Sequence, residues 1–585
     1  MNRRKFIAQV ASLPLAASVP GPCLALSDTP LSTNPVVKTG PGHAGPDFSR
    51  YRLTLNRVLN GTGPAYTPDF LLEDIRATPG RRFTNFSGDL SGRWIGALSA
   101  SAATFGESFP SLHEVVRGVI ASQHQDGYFG STFHYDHPDD NDLALLWGNG
   151  RLLVGLMEYY TLTSDPHVLL AAKQLGDFLI RIAPRFNSPA MADAFNADHY
   201  ASSYICWTQQ TEGLAALYAV TRDDRYRDLC AAIANRIERR PGDHVHGYLT
   251  SLRGTLDLYR ISGNSSHLNQ VIAAWKDIQN SGDSLITGGV PERWSPKRER
   301  TEGCAECDWL RLNLSLYRAT GARVYLDTAQ DTYFNEFSMN QFATGDYGHA
   351  KLNAAGVPET VYVRAWWCCT LHGLRTFADL QNAAFRAAPA AIYFEFPIDS
   401  HIRTDAFSAT AQSALAETGE IRIDIERANA APTLIVTKPA WADNITVTRN
   451  GDKVRCLTVD RVSAGDVILV NYAMSRRVSS HASSAGEAGQ FLHFGPWLLG
   501  ASSSANPAYF NELYTKNLLD LKTASRQERR ADSVFEAPQA ETTIRYIPAE
   551  FPEQPAQVEL RAVAEQTANQ PASWQIVFAS NYPRP

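Results

Sequence analysis

Gly155-Leu-Met-Glu-Tyr-Tyr160-Thr-Leu-Thr163 reads as the end of a helix running into a turn, and the chain repeats that phrase three times. The repeats are Gly213-Leu-Ala-Ala-Leu-Tyr218-Ala-Val-Thr221, Gly254-Thr-Leu-Asp-Leu-Tyr259-Arg-Ile-Ser262 and Leu312-Asn-Leu-Ser-Leu-Tyr317-Arg-Ala-Thr320. In each, a tyrosine three residues before a Thr or Ser closes an apolar-periodic run. A second such run follows each turn, over residues 169–182, 226–237, 268–278 and 325–337, so the unit is a helical hairpin. Flanking runs at 70–75, 94–104, 112–122 and 366–385 bring the total to about a dozen helices. Six hairpins bury their apolar faces by closing into an (α/α)6 toroid.

Beyond about residue 388 the period changes from 3.6 to 2. Ile421-Arg-Ile-Asp-Ile425, Leu434-Ile-Val-Thr437, Ile445-Thr-Val-Thr448 and Val467-Ile-Leu-Val-Asn471 are strands, and Asn450-Gly451 is a hairpin turn signal. Gly495-Pro496-Trp497 closes that β-sandwich before a Ser-rich stretch, and weaker alternation at 542–546, 558–563 and 574–578 marks a second small β module. The expected organisation is α+β and multidomain: a leader over 1–27, the toroid over 28–387, the sandwich over 388–504 and a C-terminal β-rich module over 505–585.

The leader carries Arg3-Arg4-Lys5-Phe6 ahead of a short apolar stretch and small residues at Ala25-Leu26-Ser27, the pattern of a twin-arginine export signal. The expected location is periplasmic or secreted, with no membrane attachment once the signal is removed. Composition is that of a globular protein, 44% hydrophobic and 19% charged. The net charge of −6 comes without a basic run beyond the first residues, which excludes nucleic acid as a natural partner. A homodimer is compatible with the sequence.

Seven of the eight cysteines lie beyond the leader, and four of them fall in two tight clusters, Glu302-Gly-Cys304-Ala-Glu-Cys307 and Trp366-Trp367-Cys368-Cys369-Thr-Leu-His372. Each cluster sits where a loop meets a helix. Neighbouring cysteines rarely pair with each other, and an odd total does not suit a disulfide framework, so metal ligation is the simplest reading. Zinc accepts about four such donors in a tetrahedron. Cys304-x-x-Cys307 is itself a ligand spacing, so an all-thiolate shell and a purely structural zinc both stay open. Cys206, Cys230 and Cys456 read as small packing residues, and His134, His137 and His244 as solvated or capping.

The Glu302-Gly-Cys304-Ala305 opening, the helix ending in Leu316-Tyr317-Arg-Ala-Thr320-Gly321 and the Cys368-Cys369 pair some sixty residues on resemble glycoside hydrolase family 127, the β-L-arabinofuranosidase family. Pro439-Ala-Trp441-Ala, Asn450-Gly451 and Gly495-Pro-Trp-Leu-Leu-Gly500 extend the likeness over most of residues 60 to 500. The resemblance implies a zinc shell of Glu302, Cys304, Cys368 and Cys369, with Cys368 as nucleophile. It also implies a separate Glu as acid and base, acting by double displacement with retention. Thr287-Gly-Gly-Val-Pro-Glu-Arg-Trp294 resembles the segment leading to that Glu, which points to Glu292, with Glu299 as its competitor.

The expected activity is release of a terminal β-L-arabinofuranose, or a related branched or acidic furanose, from an oligosaccharide or glycoconjugate of plant glycans. Arg151, in Trp147-Gly-Asn-Gly-Arg151, stands where the family often has a histidine and would suit a sugar carboxylate. His246 and Trp294 are the other expected sugar contacts. Trp94 and Trp367, near loop ends, could also stack on a sugar. Two rival readings use the same architecture: an exported uronic-acid polysaccharide lyase or unsaturated uronyl hydrolase, and a non-catalytic glycan-binding protein with a structural zinc.

Overall fold

The computed structural model describes residues 45–76, 83–192, 202–295, 299–352, 358–429, 431–482, 488–511, 519–526, 542–546, 556–565, 574–576 and 578–579. The expected leader lies outside these residues. Among them, no helix is long and apolar enough to cross a membrane.

The helices form two concentric rings. The inner ring runs through Asp89–Phe105, Asp140–Thr163, Ser203–Thr208 with Thr211–Thr221, Val245–Ser262, Gly303–Thr320 and Cys369–Ala384, each packed on the next, and the last returns to the first. Pro110–Ala121, Pro166–Phe186, Asp224–Ala234, Ser265–Asn280 and Arg323–Thr332 lie outside it, and the N-terminal Pro46–Asn60 helix covers the last inner helix. Sequence pattern explains which helix goes where. Pro166–Phe186 buries Val168, Ala171, Ala172, Leu175, Phe178, Leu179 and Ile182, an i, i+3, i+4 stripe suited to one apolar neighbour. Gly303–Thr320 is buried continuously from Gly303 to Leu314, as a helix enclosed on all sides must be.

The fourfold phrase is the joint between the rings. The inner helices end at Thr163, Thr221, Ser262 and Thr320, and the next residue turns left-handed: Ser164 (φ 56°), Arg222 (φ 56°), Gly263 (φ 72°) and Gly321 (φ 70°). Each donates its N–H back to the tyrosine carbonyl four residues earlier, at 2.7 to 3.0 Å. Asp165, Asp223 and Asn264 then accept backbone N–H groups and start the outer helices.

The inner helices also carry charges on buried faces. Arg151 and Arg253 meet Glu212, Arg253 and Arg311 meet Asp308, and Arg375 meets Glu158 and Asp379. These pairs compensate one another inside the ring, which is the condition for keeping charge in a low-dielectric interior.

Two sheets follow the toroid. One is ordered Asp452–Lys453, Asn444–Arg449, Val467–Ala473, Glu420–Ala428, Phe407–Ala414, Ser400–Arg403. The other is ordered Thr458–Val459, Thr433–Val436, Ala391–Phe394, Phe385–Ala388. Ile421, Ile423 and Ile425 are buried while Arg422 and Glu426 face out. Asn450 (φ 53°) and Gly451 (φ 92°) make the two-residue hairpin turn the sequence calls for.

A third sheet cuts across the boundary expected at 504. Arg476–Ala482, Ala488–Phe494 and Trp497–Ser502 pair on into Ala556–Ala562, Thr542–Tyr546 and Leu519–Arg526. Gly495-Pro496 is a hairpin turn, with Phe494 opposite Trp497, and not the end of a unit. A Gly-Pro pair signals a turn without saying which sheet its strands join. Asn335 receives the Leu498 N–H at 2.7 Å and donates to the Pro496 carbonyl at 3.1 Å, docking that hairpin on the toroid.

Candidate metal centre

The two cysteine clusters meet. One ligand atom each from Glu302, Cys304, Cys368 and Cys369 lies within 4.8 Å of the other three, and all four residues are buried. The Cys304 sulfur is 3.6 Å from that of Cys369, and the Cys369 sulfur is 3.6 Å from that of Cys368. These spacings are too long for disulfides, and the described cysteines are all free. They are close to the ~3.7 Å that two ~2.3 Å zinc–sulfur bonds subtend at a tetrahedral angle. Glu302 Oε1 lies 4.0 Å from the Cys368 sulfur. Three thiols and a carboxylate at this spacing are a zinc-type donor set. Cys307 stays outside it.

Local structure explains the convergence. Glu302 caps the Gly303–Thr320 helix in extended conformation, and Cys368 caps the Cys369–Ala384 helix, so both loops deliver their ligands as they turn into helices. A Cβ on Gly303 would stand 3.0 Å from the Cys369 Cβ and 3.2 Å from the Gly348 carbonyl oxygen, so glycine there lets the loops close. Thr301 N–H bonds to the Ala350 carbonyl at 2.8 Å and Ala365 N–H to the Tyr347 carbonyl at 2.8 Å, which ties both approaches to the Gly348–Leu352 strand region.

The sulfurs differ in access and charge. Cys368 is 5% exposed while Cys304 and Cys369 are fully enclosed. Burial pushes the Cys304 and Cys369 thiols well up. Burial also opposes a Cys368 thiolate, but hydrogen bonds from Cys304 and Cys369 and the Arg93 charge together hold its thiol well below the usual range.

Arg93 closes a second arrangement against the first. It lies 3.7 Å from the Cys304 sulfur through Nη1, and the same atom donates to His372 Nδ1 at 2.8 Å. Nη2 donates to His246 Nε2 at 2.9 Å. A guanidinium can only donate, so both ring nitrogens accept and the protons sit on the far sides. There, His372 Nε2 donates to Asp308 Oδ1 at 3.1 Å and His246 Nδ1 to Asp308 Oδ2 at 2.5 Å. Burial pushes His372 down to about 4 and His246 well down. Burial works against the Asp308 charge, yet the two imidazoles hold its carboxyl well below the usual range.

Glu292 is buried and held by Arg300, with Arg300 Nη2 2.6 Å from Oε1, and His349 Nδ1 stands 3.9 Å from Oε2. Glu292 thus shares His349 with Thr301, whose carbonyl is 3.2 Å from the same ring nitrogen and whose chain neighbour is Glu302. Its competitor Glu299 is exposed.

Three expected sugar contacts are engaged elsewhere. Arg151 is buried and donates to Glu212 at 3.2 Å and to the Gln209 carbonyl at 3.3 Å, so its cation is already matched by a protein carboxylate. Both nitrogens of His246 serve Arg93 and Asp308. Trp294 is buried against Tyr248, with the Arg239 guanidinium 4.6 Å over its ring. Trp94 is likewise core, whereas Trp367 is only partly buried, 5.2 Å from Phe83. His244, expected as solvated or capping, is buried and bonded to Glu302 Oε2 at 2.7 Å. Burial opposes its charge, but Glu302 holds its pKa above the usual imidazole value.

Sequence reasoning also passed over Asp89, Arg93, Arg300, Asp308 and His349. The available signal was an ionisable residue inside a continuously apolar helix, as at Arg93 beside Trp94 and Asp308 beside Trp309.

The model of the β-L-arabinofuranosidase GH127 catalytic domain matches residues 75–382, over half of the chain. Solved structures agree at the level of the fold. A GH127 β-arabinofuranosidase aligns over 95% of this chain and 98% of its own, at 16% identity and a TM-score of 0.67. The GH127 β-L-arabinofuranosidase of Geobacillus stearothermophilus T6 aligns over 94% and 100%, at 15% identity and a TM-score of 0.66. A third structure, titled a glycoside hydrolase, aligns over 94% and 100%, at 17% identity and a TM-score of 0.67. A search of the curated proteins returns no match. The chain belongs to glycoside hydrolase family 127, the β-L-arabinofuranosidase family, and is a glycoside hydrolase.

Proposed function

We propose that this enzyme is a zinc-dependent, retaining exo-glycosidase that releases terminal β-L-arabinofuranose, or a closely related furanose, from plant-derived glycans. The observation that carries the proposal is the convergence of the Glu302 carboxylate and three thiols within 4.8 Å. Glu302, Cys304, Cys368 and Cys369 would hold the ion. Zinc, when bound, supplies the charge that keeps thiols deprotonated at neutral pH and makes sulfur a better leaving group.

The protein's own residues account for the two displacements. In the first, the Cys368 sulfur forms a bond to the anomeric carbon while the glycosidic C–O bond breaks, and Glu292 gives its proton to the departing oxygen. In the second, the Glu292 carboxylate takes a proton from water. The water oxygen then bonds to the anomeric carbon as the C–S bond breaks, and the electron pair returns to sulfur. Two inversions give net retention. Cys368 is assigned the attack because it is the accessible sulfur and stands at the start of a helix, where the backbone dipole favours an anion. Export through the twin-arginine route, which carries folded proteins, fits a site whose metal is loaded before the oxidising compartment is reached.

The test is turnover of nitrophenyl β-L-arabinofuranoside by wild type, Cys368→Ala and Glu292→Gln, with zinc per chain measured on each. We expect both variants to lose at least ~10³-fold in kcat, with Glu292→Gln keeping its zinc. Full activity in Cys368→Ala would end the cysteine mechanism.

A further inference from the structure

The Asp89–Phe105 helix begins after Gly88, which has no side chain to satisfy the free amides of its first turn. Asp74 does so from another segment: the N–H groups of Gly88, Leu90 and Ser91 converge on its Oδ2 at 3.1, 3.1 and 3.2 Å. A carboxylate at the first helical position ordinarily leans over those same amides. With Asp74 in that place, Asp89 is directed elsewhere.

Its Oδ1 accepts from Arg93 Nε at 2.8 Å and from Trp147 Nε1 at 3.0 Å, which fixes the plane of the group. Among the described residues no donor reaches Oδ2, and that atom is not sealed from solvent, the side chain keeping 14% of its surface open. Arg93, which holds Asp89 through Nε at 2.8 Å, reaches the Cys304 sulfur through Nη1 at 3.7 Å, so Asp89 stands one guanidinium away from the sulfur cluster. Arg93, the nearest cation, spends its donors on Asp89, His246, His372 and Cys304.

We propose that Asp89 Oδ2 accepts a hydrogen bond from a ring hydroxyl of the glycosyl group whose anomeric carbon Cys368 attacks, and that it selects neutral sugars against carboxylated ones. The inference rests on the reading of Cys368 as nucleophile. The selection follows from charge: a uronate placed there would face the Asp89 carboxylate, and among the described residues the cation beside it, Arg93, is already engaged. Asp89 is on this account a specificity-determining residue, pinned by Trp147 and Arg93 and released from helix capping by Asp74.

The experiment compares kcat/KM for nitrophenyl β-L-arabinofuranoside and its 2-deoxy and 3-deoxy analogues in wild type and Asp89→Ala, with zinc per chain on both. The variant should lose about 10- to 100-fold on the parent glycoside while retaining zinc. One deoxy analogue should be cleaved equally by both proteins, because hydroxyl and carboxylate form one interaction. Equal penalties on the parent and both analogues overturn the inference, and so does zinc loss in step with activity, which would make Asp89 a support of the sulfur cluster. If wild type cleaves no furanoside, the functional reading above fails by itself. Asp89 is then judged by titrating both proteins with neutral methyl furanosides and methyl galacturonoside. A preference for the neutral sugars that disappears in Asp89→Ala supports it; no preference in wild type, or one unchanged in the variant, overturns it.

Discussion

Two buried clusters of metal-type ligands adjoin each other in this toroid, Glu302–Cys304–Cys368–Cys369 and His246–Asp308–His372, and each has its ligand atoms within 4.8 Å. They differ in what closes them. In the second, both histidine protons go to Asp308 and both bare nitrogens accept from Arg93, so a resident guanidinium occupies the place of a cation. In the first, acidic groups outnumber the cations that touch them: one carboxylate and three thiols meet His244 and one edge of Arg93. A polar cluster with every donor matched to an acceptor is finished as structure. One with three thiols and a carboxylate turned toward a common point still has lone pairs to offer an ion.

The largest expected effect comes from removing the resident cation. Arg93→Met leaves Asp89 without its ion-pair partner and two buried imidazole nitrogens without a donor, while Asp308 keeps Arg253 and Arg311; breaking a buried pair in this way costs about 3–5 kcal/mol. We expect a large fall in thermal midpoint. We also expect a second equivalent of zinc to bind and restore part of the loss, since two histidines and an aspartate would then be offered without their guanidinium. Zinc stoichiometry by mass spectrometry and melting with and without added zinc check both. If the variant is destabilised but zinc changes neither its midpoint nor its stoichiometry, the equivalence of Arg93 and a metal is wrong.

A smaller effect separates ligands from their supports. His244 bonds to Glu302 from outside the ligand set, so His244→Ala should leave the four ligands in place but Glu302 badly oriented. Loss of such a support typically lowers metal affinity by about 10- to 100-fold. Competition with a chelator of known affinity measures it. An unchanged affinity would mean that helix starts alone orient Glu302.

The ease of reading these features from sequence followed their range. The helical hairpins were legible because Tyr160, Tyr218, Tyr259 and Tyr317 all sit at one local joint, and helix periodicity and capping are written within a few residues. The sulfur cluster was legible because its residue types are rare and bunched. The ring around Arg93 was not, since Arg93, His246, Asp308 and His372 come from four helices and each looks alone like an ordinary polar residue. Arg151 and His246 illustrate the same limit: motif position put them near a sugar, but their buried partners Glu212 and Asp308 lie about sixty residues further along the chain. The boundary at 504 failed for a related reason, because which strands share a sheet is a long-range property that a turn signal does not carry.

The smallest effect lies at a third closed cluster, where the toroid meets the sandwich. Asp399 N–H donates to Asp47 Oδ2 at 2.9 Å and Asp47 N–H donates to Asp399 Oδ2 at 3.0 Å, with Ser413 N–H on Asp399 Oδ1 at 2.7 Å. Unlike the ring around Arg93, this clamp brings two acids together, and Tyr333 and Arg50 are the other ionisable groups facing Asp47. Burial, reinforced by the Asp47 charge, raises the Asp399 carboxyl to about 7. An unfolded aspartate titrates near ~3.9, so between about pH 4 and 7 the folded chain holds the extra proton and its stability declines as pH rises. The decline should end once the folded carboxyl has itself ionised. We expect wild type to lose about 1–2 kcal/mol between pH 5 and pH 8 through this group, and Asp399→Asn, which cannot ionise, to show a flatter profile. Thermal melts of both proteins across that range check it. Parallel profiles would mean that the clamp accommodates both charges, and that mutual backbone hydrogen bonds can stand in for the cation that Arg93 supplies to its own ring.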